Sequence, residues 1–445
     1  MAGRSSIAAA LVCALLCAVP EARAQQDIPP ERWTLVQCGS VLPIAGQPAL
    51  GETTLVVHEG KIVEVLPGIV GPEAVMAARS GEAEVVDLRD AFVMAGLIDA
   101  HVHITQTYDA DVRLRRVTDD DADAALRGSV NARRTLEAGF TSVRDLGGGP
   151  AVFALRDAIA SGLIPGPRML VAGYAISPTG GHADRTHGYR EDLFDMPGPD
   201  LGIADGPYEA RKAVRAQVKR GADVIKLTAT GGVLSNTSSG TEVQFKHDEL
   251  EEIVSTAHML GRKVAAHAHG TKGVNAALRA GVDSIDHGTF LDADSIELFK
   301  KTGAWYVPTV TAGKTVEERA KQPGFYSPAV AEKARAVGPQ IQDALRRAQS
   351  GGVKIAFGTD AGVFPHGENA REFQYMVEAG MSPMDTLRAA TVGSATLLGI
   401  ESEVGTLEVG KRADLIATRR NPLVDVTELT RVVFVMRGGT VYKRE

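Results

Sequence analysis

The sequence predicts an α/β chain: a (β/α)8 TIM barrel carrying a small β-sandwich domain built from both chain ends. Three observations predict it. Eight strand-like apolar runs alternate with helical segments through the middle of the chain, several of those segments stop at Ala-Gly or Arg-Gly, and short β-type runs stand before this stretch and return after it. Eight strands is the number that closes such a barrel.

Taken in order, residues 1–24 combine Arg4, an apolar run over 7–19 and Ala22-Arg23-Ala24 ahead of Gln25, the layout of a secretory signal peptide. The run is shorter than the roughly 20 residues that span a bilayer, so a cleaved leader is expected rather than an anchor. The mature chain is then periplasmic or secreted, with no stable membrane anchor. Leu16 stands before Cys17 where a lipid-attachment site wants a small residue. Residues 25–93 read as strands over 34–38, 54–58, 61–66 and 84–88; residues 400–445 add 414–417 and a hairpin of 432–437 and 440–443 around Gly438-Gly439. These two segments compose the β-domain. Residues 94–399 hold the barrel, with strands expected over 96–104, 141–146, 169–176, 224–230, 263–269, 284–287, 305–309 and 354–359. Its helices are expected over 122–138, 151–161, 209–220, 248–260, 272–280, 294–301, 329–350 and 383–398. Segment 177–207, rich in Pro and Gly, reads as a long loop over the barrel mouth.

The 445 residues carry 48 Lys+Arg against 55 Asp+Glu, a net charge of −7, with 44% hydrophobic residues. Without Arg4, Arg23 and Glu21 the balance is 46 against 54, net −8, which argues against nucleic acid as a partner. Cys13 and Cys17 leave with the leader and Cys38 stands alone, so no intramolecular disulfide can form and stability must come from the core.

The chemistry-bearing residues gather at the ends of predicted strands. His101-Val102-His103 closes the first one, and because side chains alternate across a strand, both imidazoles point into the barrel at the face where barrel enzymes work. Alone, a His-x-His pair is as often structural as ligating. Lys226 sits inside the apolar fourth strand, where an unpaired ammonium would cost several kcal/mol. Two readings stand open for it: an ion pair with a barrel carboxylate such as Asp360, or carboxylation by carbon dioxide to an anion that bridges two metal ions. His267 and His269 close the fifth strand, His287 the sixth and Asp360 the eighth. Of the 11 histidines, these five fall at strand ends on one face, a concentration that chance placement does not produce. His269 admits three roles: ligand, substrate contact, or bond to a neighbouring loop.

Ala95-Gly96-Leu97-Ile98-Asp99-Ala100-His101-Val102-His103, the strand-four Lys226, Ala265-Ala266-His267-Ala268-His269-Gly270, Ile285-Asp286-His287-Gly288 and Gly358-Thr359-Asp360-Ala361-Gly362 together resemble the amidohydrolase superfamily. Within it they resemble the imidazolonepropionase-related branch of binuclear Xaa-Pro and Xaa-Arg/Lys dipeptidases, carboxypeptidases and ochratoxinase-like amidohydrolases. The likeness runs through nearly the whole mature chain to residues 404–415, where the polypeptide re-enters the β-domain. It implies that His101, His103 and Asp360 hold one divalent metal ion, that His267 and His287 hold a second, and that Lys226 carboxylated by CO2 bridges both. Zinc is favoured by the ligand types, with manganese or cobalt as substitutes. The resemblance further implies hydrolysis of a peptide or amide bond by a metal-bridged hydroxide, with Asp360 as the catalytic group that takes the proton and hands it to the leaving nitrogen. Relatives of this kind often assemble, so a homo-oligomer is expected.

Substrate contacts are less legible. His182, in Thr179-Gly180-Gly181-His182, is a candidate oxyanion or carboxylate partner, or an ordinary loop histidine. His269 stands where related dipeptidases can carry a Tyr that meets the substrate carboxylate. His366 either shapes the pocket or holds its own loop. Arg144 and Arg185 are possible carboxylate clamps, with an ion pair to Asp145 or another carboxylate the commoner fate of Arg144. Trp305 and Tyr306 offer an aromatic wall or, more commonly, core packing. The expected substrate is a small amide: a dipeptide, an N-acyl amino acid or an ochratoxin-like compound. The alternative is a cyclic amidohydrolase of imidazolonepropionase type, opening a ring C–N bond with one metal. A scaffold that had lost its chemistry would show damaged ligands, and a cytosolic deaminase fits neither the leader nor Lys226.

Overall fold

The computed structural model describes residues 32–235 and 240–445. The leader expected over 1–24 lies outside them. Strands β1 (Arg32–Leu42), β2 (Thr53–His58), β3 (Lys61–Pro67) and β4 (Glu82–Ala95) come from the front of the chain. They share one seven-stranded sheet with β13 (Leu415–Thr418), β14 (Phe434–Arg437) and β15 (Thr440–Arg444), in the order β15-β14-β13-β4-β1-β2-β3. The two chain ends therefore build one sheet. The two-residue Gly438-Gly439 turn, at φ 56 and 79, lets β14 and β15 pair as a hairpin, a backbone that only glycine adopts freely. Alternation along β1 sends Val36 and Cys38 into a cluster with Leu55, Val86 and Leu415 on one face and Leu35 into a smaller cluster with Val56 and Val75 on the other, so both faces are apolar and covered.

The eight strands that follow form the barrel: β5 (Leu97–Val102), β6 (Phe140–Asp145), β7 (Arg168–Val171), β8 (Val224–Thr228), β9 (Lys263–Ala268), β10 (Ser284–His287), β11 (Trp305–Val307) and β12 (Lys354–Ile355). All neighbouring pairs are parallel, β5–β7 in one ladder and β8–β12 in another. Two single bridges close the ring, Ile176 to Leu227 between the first ladder and the second, and Val102 to Ala361 back to β5. Each strand is where the alternation of runs put it, though seven of the eight stop short because their last residues leave the ladder to face the mouth. Segment 177–207 is a loop with two short helical turns, Glu191–Leu193 and Pro199–Leu201.

Three helices carried no readable local signal: Val112–Thr118, Val310–Arg319 and Arg371–Glu378. The second contains Val310, Thr311, Thr315 and Val316, β-branched residues that disfavour helix, plus Gly313. Its first amides are satisfied from far along the chain: Glu372 accepts from Val310 N at 2.8 Å and from Thr311 N at 2.7 Å. The expected helix 383–398 is interrupted by a π-helical turn at Ala389–Gly393, where the Ala389 carbonyl is also taken by Phe357 N (3.2 Å) from the end of the eighth strand.

Candidate active site

The carboxyl ends of the barrel strands open into a cavity of about 330 Å³ lined by His101, His103, Lys226, His267, His269, His287, Asp360 and the loop residue His182. His101 ends in β5 and His103 follows it; their rings lie 5.3 Å apart, and both Nε2 atoms face Asp360 Oδ1, at 3.5 and 3.2 Å. His287 stands 5.0 Å from His101 and 4.6 Å from His267, ring to ring, and His267 stacks on His182 at 4.2 Å. His101, His287 and Asp360 bring ligand atoms within 4.8 Å of one another. The six residues read as ligands thus meet at one rim.

Their partners fix which nitrogens face inward. His103 Nδ1 lies 2.9 Å from the Gly147 carbonyl, which can only accept, so Nδ1 carries a hydrogen and Nε2 is free to face inward, toward Asp360. Thr309 Oγ1 donates to the Pro308 carbonyl at 2.8 Å and so accepts from His287 Nδ1 at 2.7 Å, freeing His287 Nε2 in the same way. His267 uses Nε2 on the Gly231 carbonyl at 3.1 Å, which leaves Nδ1 as its donor atom. His101 Nδ1 is buried with no hydrogen-bond partner, an unsatisfied polar atom at the centre of the cluster. Burial, reinforced by Lys226 and the neighbouring histidines, holds His101, His267 and His287 well below the ordinary imidazole range, so they are neutral, as metal ligands must be. Burial also pulls on His103, but the hydrogen bond and charge of Asp360 outweigh it and raise this ring. Neutral imidazoles with inward lone pairs, a carboxylate and an orphaned nitrogen suit divalent cations.

Lys226 Nζ lies 2.6 Å from Asp286 Oδ2, so its nearest carboxylate is Asp286 rather than Asp360. Asp286 is fully buried and also faces Arg144, at 3.3 Å. One carboxylate therefore answers two buried cations, and burial lowers the lysine from its ordinary value. Two further expectations need correction. Arg144 is no substrate clamp: Nε donates to the Ala100 carbonyl at 2.6 Å, Nη1 to Ser284 Oγ at 3.2 Å, and the side chain is 2% exposed beneath the cavity floor. Its ion pair is with another barrel carboxylate, Asp286, while Asp145 accepts from Ile104 N and Gly147 N. His366 also lies outside the cavity lining, its Nε2 between the carbonyls of His103 and Gln106, both at 3.1 Å, so it holds the His103 loop. Tyr306 is core, its hydroxyl on the His287 carbonyl at 2.9 Å. His269 lines the cavity with Nδ1 tied to Thr289 Oγ1 at 2.8 Å.

The backbone is strained where the site is built. Among the described residues four non-glycines have positive φ, and three of them, His287 (72°), Thr309 (51°) and Asp360 (60°), are at this rim. Such conformations cost on the order of 1–3 kcal/mol each and persist only where surrounding structure enforces them. Asp99 supplies part of that enforcement: its carboxylate accepts from Thr359 Oγ1 (2.6 Å), Asn369 Nδ2 (2.8 Å) and the amides of His101 and Thr359. Glu372 supplies another part by capping the helix that starts at Thr309.

Two predictions arise here. A Cβ at Gly232 would lie 2.1 Å from His182 Cε1 and 2.3 Å from its Nδ1, so Gly232→Ala must displace that ring. We expect kcat/KM to fall about 10- to 100-fold with circular dichroism unchanged, the usual cost of a misplaced site group. Full activity would remove His182 from substrate contact. The second concerns Glu372, whose carboxyl is pushed up to about 7 by burial, against the pull of its Thr311 and Val310 donors. An unfolded glutamate titrates near about 4.3. The folded chain binds the extra proton between those values, so this residue's stabilising contribution is complete at low pH and is lost as pH rises through 7. Glu372→Gln should therefore gain on the wild type by about 3 kcal/mol from pH 4 to pH 8 in unfolding experiments. A constant difference across that window would mean that Glu372 is ionised throughout.

This geometry defines a class, the hydrolases that gather metal ligands at the carboxyl rim of a (β/α)8 barrel. The chain belongs to the amidohydrolase family, which it matches over residues 92–443, and is a hydrolase acting on C–N bonds. It is 34% identical to an ochratoxinase from Aspergillus niger over 92% of this chain and 86% of that one. Among solved structures it is similar to a Xaa-Pro dipeptidase crystallised with methionine in its active site, at 42% identity and a TM-score of 0.87, covering 92% of this chain and all of that one (100%). It is also similar to a prolidase complexed with N-methylphosphonate-L-proline, at 31% identity and a TM-score of 0.84, covering 93% of this chain and 100% of that one.

The sequence reading missed several residues at the site. Asp286 lies inside the quoted Ile285-Asp286-His287-Gly288 run but was given no role there, and Thr309 and Glu372, which act through other residues, carry no motif of their own. Gly232 is visible only as half of a Gly-Gly pair, and Arg116 and Tyr326 reach the cavity from segments with no functional signature.

Proposed function

We propose that the protein hydrolyses the amide bond of a dipeptide, an N-acyl amino acid or an ochratoxin-like amide, using two divalent cations, zinc by preference. The convergence of His101, His103, Lys226, His267, His287 and Asp360 on one cavity carries this reading, and the dipeptidase, prolidase and ochratoxinase relatives support its substrate range. His101, His103 and Asp360 would hold one cation, His267 and His287 the other, with Lys226 as a carbamate between them. Charge favours the carbamate: two dications beside an ammonium would leave a large positive excess in a buried site, and carboxylation changes Lys226 from +1 to −1. A pair of such cations supplies an acidified water and a polarised carbonyl.

The rest is done by the chain. Asp360, held between His101 and His103 and 14% exposed, takes the proton of the attacking water and delivers it to the leaving nitrogen, so that amide and water give carboxylate and amine. His182, whose buried Nδ1 has no hydrogen-bond partner, faces the substrate carbonyl or carboxylate. Burial, with His269 and Lys226 adding to it, lowers His182 to about 3, so it serves as a neutral donor or acceptor. Export through residues 1–24 and assembly into a homo-oligomer complete the proposal.

The test is turnover of purified zinc-loaded protein against dipeptides and N-acyl amino acids with prolyl, basic and aromatic residues on the C-terminal side. Cleavage in any series supports the reading. Cleavage of none, together with ring opening of a cyclic amide and one metal per chain, would replace it with the cyclic amidohydrolase.

A further inference from the structure

The chain leaving β8 touches the site at three points. His267 Nε2 lies 3.1 Å from the Gly231 carbonyl, His269 N donates to Thr230 Oγ1 at 3.0 Å, and Gly232 is packed so closely on His182 that a Cβ there would lie 2.1 Å from the ring. The base of this segment is secured nearby: Thr230 bridges Val243, and Gly231 N donates to the Glu242 carbonyl at 3.1 Å. Beyond Gly231 it runs out over the cavity, which Val233, Leu234 and Ser235 line. There a side chain from far along the sequence meets it. Lys333 Nζ donates to the Gly232 carbonyl at 3.0 Å and to the Ser235 carbonyl at 2.7 Å, 101 and 98 residues away in sequence. Ser235 Oγ donates to the same Gly232 carbonyl at 3.0 Å, so the turn 232–235 closes around the ammonium. Lys333 stands on the helix Pro328–Ser350, whose seat is rigid: Val330, Ala334 and Val337 are buried, and Gly338 allows so close an approach to the helix Val310–Arg319 that a Cβ on it would lie 2.5 Å from Glu317 Cβ.

We propose that Lys333 is a positioning residue: it fixes residues 231–235 against His267 and His182 and so sets the half of the centre that His267 and His287 form. An ammonium carries three donors and bonds carbonyls more strongly than a neutral donor does, so one side chain can hold both carbonyls of the turn. Without it the turn relaxes toward the cavity, and the Gly231 carbonyl no longer dictates which nitrogen His267 offers. The partner that orients a metal-ligating imidazole is worth about 10- to 100-fold in metal affinity or activity. The inference rests on the proposed two-cation hydrolysis and adds to it a residue that acts on the ligands through a loop.

The test compares wild type, Lys333→Met and Lys333→Arg as full-length protein, stripped of metal and titrated with Zn2+, and with Co2+ as a spectroscopic probe. Lys333 is half-buried, so Lys333→Met should unfold at the wild-type midpoint. It should hold one of the two ions about 10- to 100-fold more weakly and leave the other unchanged, with the visible Co2+ spectrum altered for that ion alone. The kcat/KM for any substrate that wild type cleaves should fall with it, and Lys333→Arg, which keeps the charge, should restore part of each loss. Crystal structures of metal-free wild type and Lys333→Met read the same claim without an ion: the His267 and His182 rings should turn as residues 231–235 move. Unchanged affinity for both ions with superimposable rings overturns the inference. So does equal weakening of both ions with a lowered unfolding midpoint, which would make Lys333 a support of the barrel and nothing more. Cleavage of no member of the substrate panel by wild type overturns amide hydrolysis, and a single ion per wild-type chain overturns the two-cation centre; in either case the ring positions in the two crystals decide the role of Lys333 separately.

Discussion

Asp360→Asn is expected to retain its metal ions and lose about 10²- to 10⁴-fold in turnover, the range that a positioned proton-transfer group contributes. The amide keeps the shape and an oxygen ligand, so His101 and His103, which face Oδ1 at 3.5 and 3.2 Å, still have a neighbour to converge on. What it loses is the capacity to hold a proton between attack and departure of the nitrogen. An amine anion leaves poorly, so the loss falls on kcat more than on KM. Metal analysis and steady-state kinetics on one preparation check this. Substantial turnover in a metal-replete variant would take Asp360 out of the proton path.

Lys226→Met is expected to bring metal content from two ions per chain to one or none and to cost roughly three orders of magnitude in turnover. The methionine nearly preserves the volume of a side chain that is 4% exposed, so packing loss is small and the missing bridge dominates. It removes the nitrogen that stands 2.6 Å from Asp286 and leaves Arg144 facing that carboxylate at 3.3 Å. Carbon dioxide gives an independent readout: wild-type apoprotein reloaded with zinc in CO2-depleted buffer should stay inactive until bicarbonate is added. Protein equilibrated with ¹³C-bicarbonate should then show a carbamate resonance that Lys226→Met lacks. A variant with two metals and normal rates would return Lys226 to a plain ion pair with Asp286.

What sequence could read was whatever a strand or a short motif determines locally. His101, His103, His267, His287 and Asp360 were legible because barrel strands put their last residues on one rim, so a position within a strand is also a position in space. Ion-pair partners were not legible in the same way. Arg144 was expected to pair with Asp145 or another carboxylate; neighbours on a strand point to opposite faces, and the partner is Asp286, 142 residues away across the barrel. The helix Val310–Arg319 escaped notice because its cap comes from Glu372, 62 residues downstream. His366 lies in a family-like motif, yet its role is decided by two carbonyls that no motif records.

The left-handed backbones of His287, Thr309 and Asp360 bear on how such a barrel ages. Substitution to glycine at any of them relaxes the chain, and two of the three would discard a ligand in the process. A lineage screened for heat tolerance alone would find its cheapest improvements there and would drift toward a sturdier, silent protein. Persistence of these three side chains in such a lineage would mark continued selection for catalysis.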